Sequence, residues 1–146
     1  MKRKAFVLAA LLVAFFLLTA ASCPTSMKDW PPKKKSMYAN GLYIKQWDAY
    51  VNKIAYAANM DPLKYMEMVM NPAMKAQAAE IAKSANLTED ERKVLRAQKT
   101  ALLSMEVALD LYDAAIMSGT MPSPALEKRL AALSYQLENW LLKQNW

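Results

Sequence analysis

From residue 38 to its end the chain places apolar side chains at steps of three and four, and nothing in it reads as strand. That period lines one face of an α-helix. Ile44, Trp47, Val51, Ile54 and Ala58 make such a face over 38–58, and Asn59 is expected to end that helix. Asp61-Pro62 opens the next one, because Asp can cap and Pro fits a first helical position whose N–H has no partner anyway. Asn71-Pro72 interrupts it, since an interior proline removes a donor and clashes with the preceding turn. Two pieces are expected, 62–70 and 72–86, the second carrying Met74, Ala78, Ile81 and Ala85. Thr88 and Glu91 have the spacing of a capping box. They precede the longest helix, 89–118, with the seam Leu95, Gln98, Leu102, Met105, Leu109, Tyr112 and Ile116. Gln98 is its one polar member. Gly119 closes this helix, and Ser123-Pro124 starts the last, 124–144, with the seam Leu126, Leu130, Leu133, Leu137 and Trp140. Short loops make sequential helices antiparallel. The expected fold class is therefore all-α: an antiparallel up-down four-helix bundle with a broken second helix.

The N-terminus has a different logic. Met1-Lys2-Arg3-Lys4 precedes an uncharged run from Ala5 to Ser22, which ends in the small residues Ala20, Ala21 and Ser22. A basic start, an apolar core and a small-residue end make an export signal. The next residue, Cys23, is the only cysteine in 146 residues. This arrangement over residues 1–23 resembles the lipobox of bacterial lipoproteins. The commonest lipobox has Leu three residues before the cysteine, and this chain has Ala20 there. The resemblance implies that the Cys23 thiol is acylated with fatty acids such as palmitate, that residues 1–22 are removed, and that the lipid holds the protein on a membrane. An ordinary signal peptide and an uncleaved membrane helix are the competing readings of the same run, which is about long enough to span a bilayer. Pro24 follows the cysteine, not the Asp that often retains lipoproteins in the inner membrane, so the periplasmic face of the outer membrane is favoured.

These readings divide the chain into a signal peptide (1–22), a lipidated cysteine with an extended Pro/Lys-rich tether (23–37), and a helical domain (38–146). The tether contains Pro24, Pro31, Pro32 and the run Lys33-Lys34-Lys35. Such a composition is expected to stay extended. Its lysines suit anionic head groups, at about 1 kcal/mol each near such a surface. Trp30 suits the interface.

Composition excludes much chemistry. Loss of Lys2, Arg3 and Lys4 lowers the basic residues from 19 to 16 against 13 acidic ones, so the net charge falls from +6 to +3. With an extracytoplasmic address, that leaves no case for nucleic acid. There is no histidine, so the usual near-neutral proton shuttle and the commonest metal ligand are missing. Ser-His and Cys-His pairs are missing with it. Only Gly41 and Gly119 occur, which rules out a glycine-rich phosphate loop. No enzyme, no cofactor and no small-molecule substrate are expected.

Three groups of residues remain as candidate sites. Met60, Met66, Met68, Met70 and Met74 crowd into fifteen residues. Met66, Met70 and Met74 step by four, so their thioethers converge if the helix continues through Pro72. Soft thioethers suit Cu(I) or Ag(I), and they equally suit core filling or an adaptable partner groove. Tyr43, Tyr50, Trp140 and Trp146 are the aromatic candidates for a partner interface, where Trp and Tyr are enriched. Glu106, Asp110 and Asp113 space like a carboxylate cluster but alternate with apolar residues, as the solvated face of a helix does.

The expected function is that of a lipid-anchored extracytoplasmic interaction or assembly module of the cell envelope. It would bind the membrane through its lipid and another envelope protein through its helices. Small helical lipoproteins that pilot secretins, and exclusion and immunity lipoproteins, are similar in size and architecture, an analogy at the level of fold alone. A Met-rich Cu(I)/Ag(I)-binding envelope protein is the alternative.

Overall fold

The computed structural model describes residues 27–143, and among them no strand occurs. Among the described residues five α-helices form in the expected order: α1 (Pro32–Ala57), α2 (Pro62–Met70), α3 (Lys75–Ser84), α4 (Glu89–Met117) and α5 (Pro124–Lys143). The three-residue 3-10 turn Pro72–Met74 separates α2 from α3. This is the all-α bundle with the broken second helix. Cys23, its preceding Ala20, Ala21 and Ser22, and Trp146 lie outside the described residues.

One expectation fails at the start. The composition of residues 32–37 favours an extended tether, but α1 begins at Pro32 and absorbs all three lysines. The physical reason is position. Pro32 stands at the first turn, where a missing N–H costs nothing, and the Pro31 carbonyl accepts from the Lys34 and Lys35 N–H groups at 3.0 and 3.1 Å. Lysines oppose the positive end of a helix dipole. Lys35 is compensated by Glu127 of α5, at 2.9 Å from its Nζ.

The other ends follow local chemistry. Asn59 takes φ +51° after α1, a conformation Asn tolerates better than most residues. The Met60 N–H then returns to the Ala55 carbonyl at 2.9 Å. Asp61 occupies the N-cap of α2, but its side chain makes no capping bond. Asn71 leaves the helix in an extended conformation, and its side chain accepts from the Ala73 N–H at 3.0 Å, which nucleates the 3-10 turn. Thr88 and Glu91 form the reciprocal capping box, with bonds of 3.2 and 2.9 Å. Gly119 has φ +71°, and Thr120 N–H bonds back to Ala115 at 3.0 Å. Only that backbone makes glycine useful there. Ser123 Oγ accepts from Leu126 N–H at 3.2 Å and caps α5.

The chain packs as two compact units. The first combines residues 27–42 with 104–143, and the second spans 43–103. In the first, Ala39 and Leu42 of α1, Met105, Ala108 and Tyr112 of α4, and Leu130, Ala131 and Leu137 of α5 are buried. Tyr112 Oη donates to Glu127 Oε1 at 2.8 Å, and Glu127 also holds Lys35. One carboxylate therefore ties three helices. In the second unit, Val51, Ile54 and Ala55 of α1, Tyr65 and Met68 of α2, Ala78 of α3, and Leu95, Ala101 and Leu102 of α4 are buried. Tyr65 Oη donates to the Ala78 carbonyl at 3.3 Å and closes α2 against α3. The Arg92 guanidinium reaches the Ala82 and Ala85 carbonyls at 3.0 and 2.6 Å, satisfying the end of α3. Asn86 N–H donates to Ala57 O at 2.8 Å.

Ile44 was expected in the core of α1 and is instead 54% exposed. Gln46 takes a fully buried place on that helix, and its amide has no hydrogen-bond partner. Gln98, the polar seam member, is buried as its spacing implied.

Glu91 gives the second unit a pH dependence. Lys53 Nζ lies 2.7 Å from Glu91 Oε1, and with the Thr88 N–H it holds the carboxyl down at about 2. A carboxyl lowered by folding stabilises above its ordinary value of 4.5 and loses that contribution as pH falls toward 2. Glu91→Gln is expected to lower stability at neutral pH and to flatten the urea midpoint across that acid window. A midpoint that still falls in parallel with the wild type would place the dependence elsewhere.

Candidate interaction surfaces

Of the sequence-predicted aromatics, Tyr43 and Tyr50 lie on α1 in the second unit, Trp140 lies on α5 in the first, and Trp146 is outside the described residues. Tyr43, Trp47 and Tyr50 form an edge-to-face chain along α1, with ring centroids 6.4 and 5.4 Å apart. Tyr50 is only 9% exposed, so it belongs chiefly to the core of the second unit, and burial raises its phenol pKa. Trp140 is half-buried on α5 and belongs to the first unit.

The edge of Tyr50 that stays accessible opens on a groove of about 270 Å³. Ile54, Leu87 and Leu95 supply apolar lining, and Lys83, Arg92, Arg96 and Lys99 supply positive charge. Glu89 meets Arg96 at 2.9 Å, which lowers the Glu89 pKa. Arg92 is committed to the α3 carbonyls. The groove therefore sets apolar surface beside positive charge. Sequence reading missed it because its cations come from two helices that periodicity treats separately.

The methionines are dispersed. Met68 is buried, Met66 and Met74 are half-buried, and Met70 is 73% exposed. Because α2 ends at Met70 and a 3-10 turn follows, no single helix carries the four-residue step from Met66 to Met74. The continuous helix that would align these thioethers is absent.

Among the carboxylates, Glu106 and Asp110 are exposed as a solvated face requires. Asp113 departs from that reading: it is half-buried and accepts a hydrogen bond from Ser36 Oγ. No group of three or more His, Cys, Asp or Glu suited to a metal ion occurs among the described residues.

The early start of α1 creates a surface that the tether reading had no reason to contain. Met27 is 2% exposed and pins the turn that presents Trp30. The Trp30 ring meets Tyr38 edge-on at 5.4 Å, and Lys34 Nζ sits 4.2 Å over the indole. Burial, reinforced by a hydrogen bond to Glu138, pushes the Tyr38 phenol up to about 12, so it remains a protonated donor at neutral pH. Trp30, Pro31, Met37 and Tyr38, with Lys33 and Lys34, surround an open depression of about 550 Å³. Met37 is 68% exposed there.

No helix among the described residues is long and apolar enough to cross a membrane. No protein-family model, curated protein or solved structure matches the chain.

Proposed function

We propose that this chain is a bacterial lipoprotein whose helical domain serves as an interaction or assembly module of the cell envelope, without catalytic activity. The observation that carries this reading is the placement of the single cysteine: Cys23 directly follows Ala20, Ala21 and Ser22 at the end of an apolar run. A thiol needed for lipid attachment has to stand there. Pro24 favours the outer membrane. The partner reading is supported by the groove on the second unit, where the half-buried Leu87 lies with Arg96 and Lys99. Apolar anchors give affinity, while charge around them sets specificity and encounter rate. The partner segment it fits is acidic and apolar, as the pilotin-, exclusion- and immunity-like analogies allow.

Crosslinking in intact envelopes followed by purification of the lipidated protein tests the module. A defined partner should be captured by the wild type, and the Arg96→Glu/Lys99→Glu double variant should lose most of it while remaining folded. Equal capture by both would remove the groove from the function.

A further inference from the structure

We propose that the face built from Trp30, Met37, Lys33 and Lys34 seats on an anionic phospholipid surface and holds the domain against the membrane. This rests on the lipoprotein reading, which places the lipid at Cys23, and adds a second contact to it.

Four observations support a lipid occupant. The first is chain length: six residues lie between Cys23 and Trp30, and seven Cα steps span at most about 25 Å even when fully extended. The start of α1 therefore stays close to the bilayer wherever the rest of the domain turns. The second is side-chain chemistry. Trp favours the membrane–water interface, and Met37 is an exposed apolar side chain with no part in the core. Lysine stems can cover apolar surface while their ammonium groups stay at the phosphates.

The third is charge. Residues 28–37 carry Lys28, Lys33, Lys34 and Lys35 against Asp29 alone. Lys35 is held by Glu127, and Glu138 is bonded to the Tyr38 phenol, so the nearby acids of α5 are engaged inside the unit. Lys33 and Lys34 are exposed. The fourth is rigidity. The indole meets the Tyr38 ring edge-on, and the Lys34 ammonium lies over its face. An interface side chain held in place loses less freedom on binding than one on a loose tether. Lipid anchoring commonly joins acyl chains to a basic patch, and here the basic patch is folded into a helix.

The test uses the full chain, processed in cells, purified and placed in vesicles. Met37→Cys gives a spin-label site on the face, where Met37 is 68% exposed. Accessibility to oxygen and to a water-soluble nickel chelate reports depth. In phosphatidylethanolamine/phosphatidylglycerol vesicles the label at 37 should favour oxygen over nickel. Lys33→Glu/Lys34→Glu, or replacement of the lipids by phosphatidylcholine, should remove the oxygen preference at 37.

A label at 37 as open to nickel in these vesicles as in phosphatidylcholine ones, on protein whose intact mass shows an acylated Cys23, would overturn the face and leave the anchor standing. Protection from both reagents in either lipid would mark a protein or a second copy covering the site, and would also overturn the lipid assignment. If Cys23 proves bare, the anchor reading fails on its own. The same label at 37 in a Cys23→Ser background would then decide the face: immersion in anionic vesicles supports it, and exposure to nickel overturns it.

Discussion

Cys23→Ser is expected to abolish fatty-acid incorporation and to leave the chain as a precursor that still carries residues 1–22. In the class that the N-terminus resembles, acylation of the thiol precedes cleavage, so loss of one sulfur blocks both steps. The effect should be all-or-none, because Cys23 is the only thiol available. Metabolic labelling with palmitate and the mass of the N-terminal peptide measure it. Membrane release needs a second variant, since an uncleaved run from Ala5 to Ser22 is itself long enough to anchor the protein. Residues 24–146, exported behind a conventional cleavable signal, are expected in the soluble fraction after a salt wash. Each buried methylene contributes about 0.8 kcal/mol, and two or three acyl chains give an attachment that a washable basic face does not match. Among the described residues no helix offers a substitute span. Label in the Ser variant, or wild-type protein still joined to Ser22, would remove the lipoprotein reading.

The helices were legible because their ends are local. Asn59, Asn71-Pro72, Thr88 with Glu91, and Gly119 each act on backbone groups within a few residues, and each ends or starts a helix where its chemistry requires. The start of α1 was not legible for the opposite reason. Three lysines at the positive end of a helix are unfavourable taken alone. The carboxylate that compensates Lys35 lies 92 residues away in sequence. Periodicity also places residues on a face without saying how wide the buried sector is. On α1 it chose Ile44, while the packed side includes Gln46 instead.

The candidate surfaces were legible only as residue types. Periodicity offers Tyr50 to a partner, but it lies mainly in the core, with one edge on a groove whose cations are contributed by α3 and α4. Met66, Met70 and Met74 share a face only on an unbroken helix, and Asn71 breaks it. The Trp30 face needed the fold of the presumed tether, so it arises where the sequence expectation failed. Local rules place elements, whereas surfaces depend on which elements meet.

Tyr112→Ala is expected to be the most destabilising single change in the first unit, at about 3–5 kcal/mol, the usual range for truncating a large buried ring. Tyr112 is fully buried in α4, and its hydroxyl donates to Glu127, which also holds Lys35 of α1. Truncation leaves a cavity and takes a donor from a carboxylate shared by three helices. Tyr112→Phe separates the two losses. It keeps the ring, and its cost should be about 1.5–3 kcal/mol, the range for a hydrogen bond to a charged group. Urea midpoints at constant slope measure both. The alkaline limb supplies an independent check. Burial first, and then Glu127, hold the phenol far above its ordinary value of 10.0. Folding thus favours the protonated form, whose contribution is complete below that value and is lost as pH rises through the folded one. The Phe variant should therefore lose less stability than the wild type in strong alkali. Leu142→Ala, at a position 71% exposed, should shift the midpoint by no more than about 0.5 kcal/mol. If Phe proved as costly as Ala, the carboxylate would outweigh the packing. If Phe were neutral, the Tyr112–Glu127–Lys35 link would be incidental to how α1, α4 and α5 hold together.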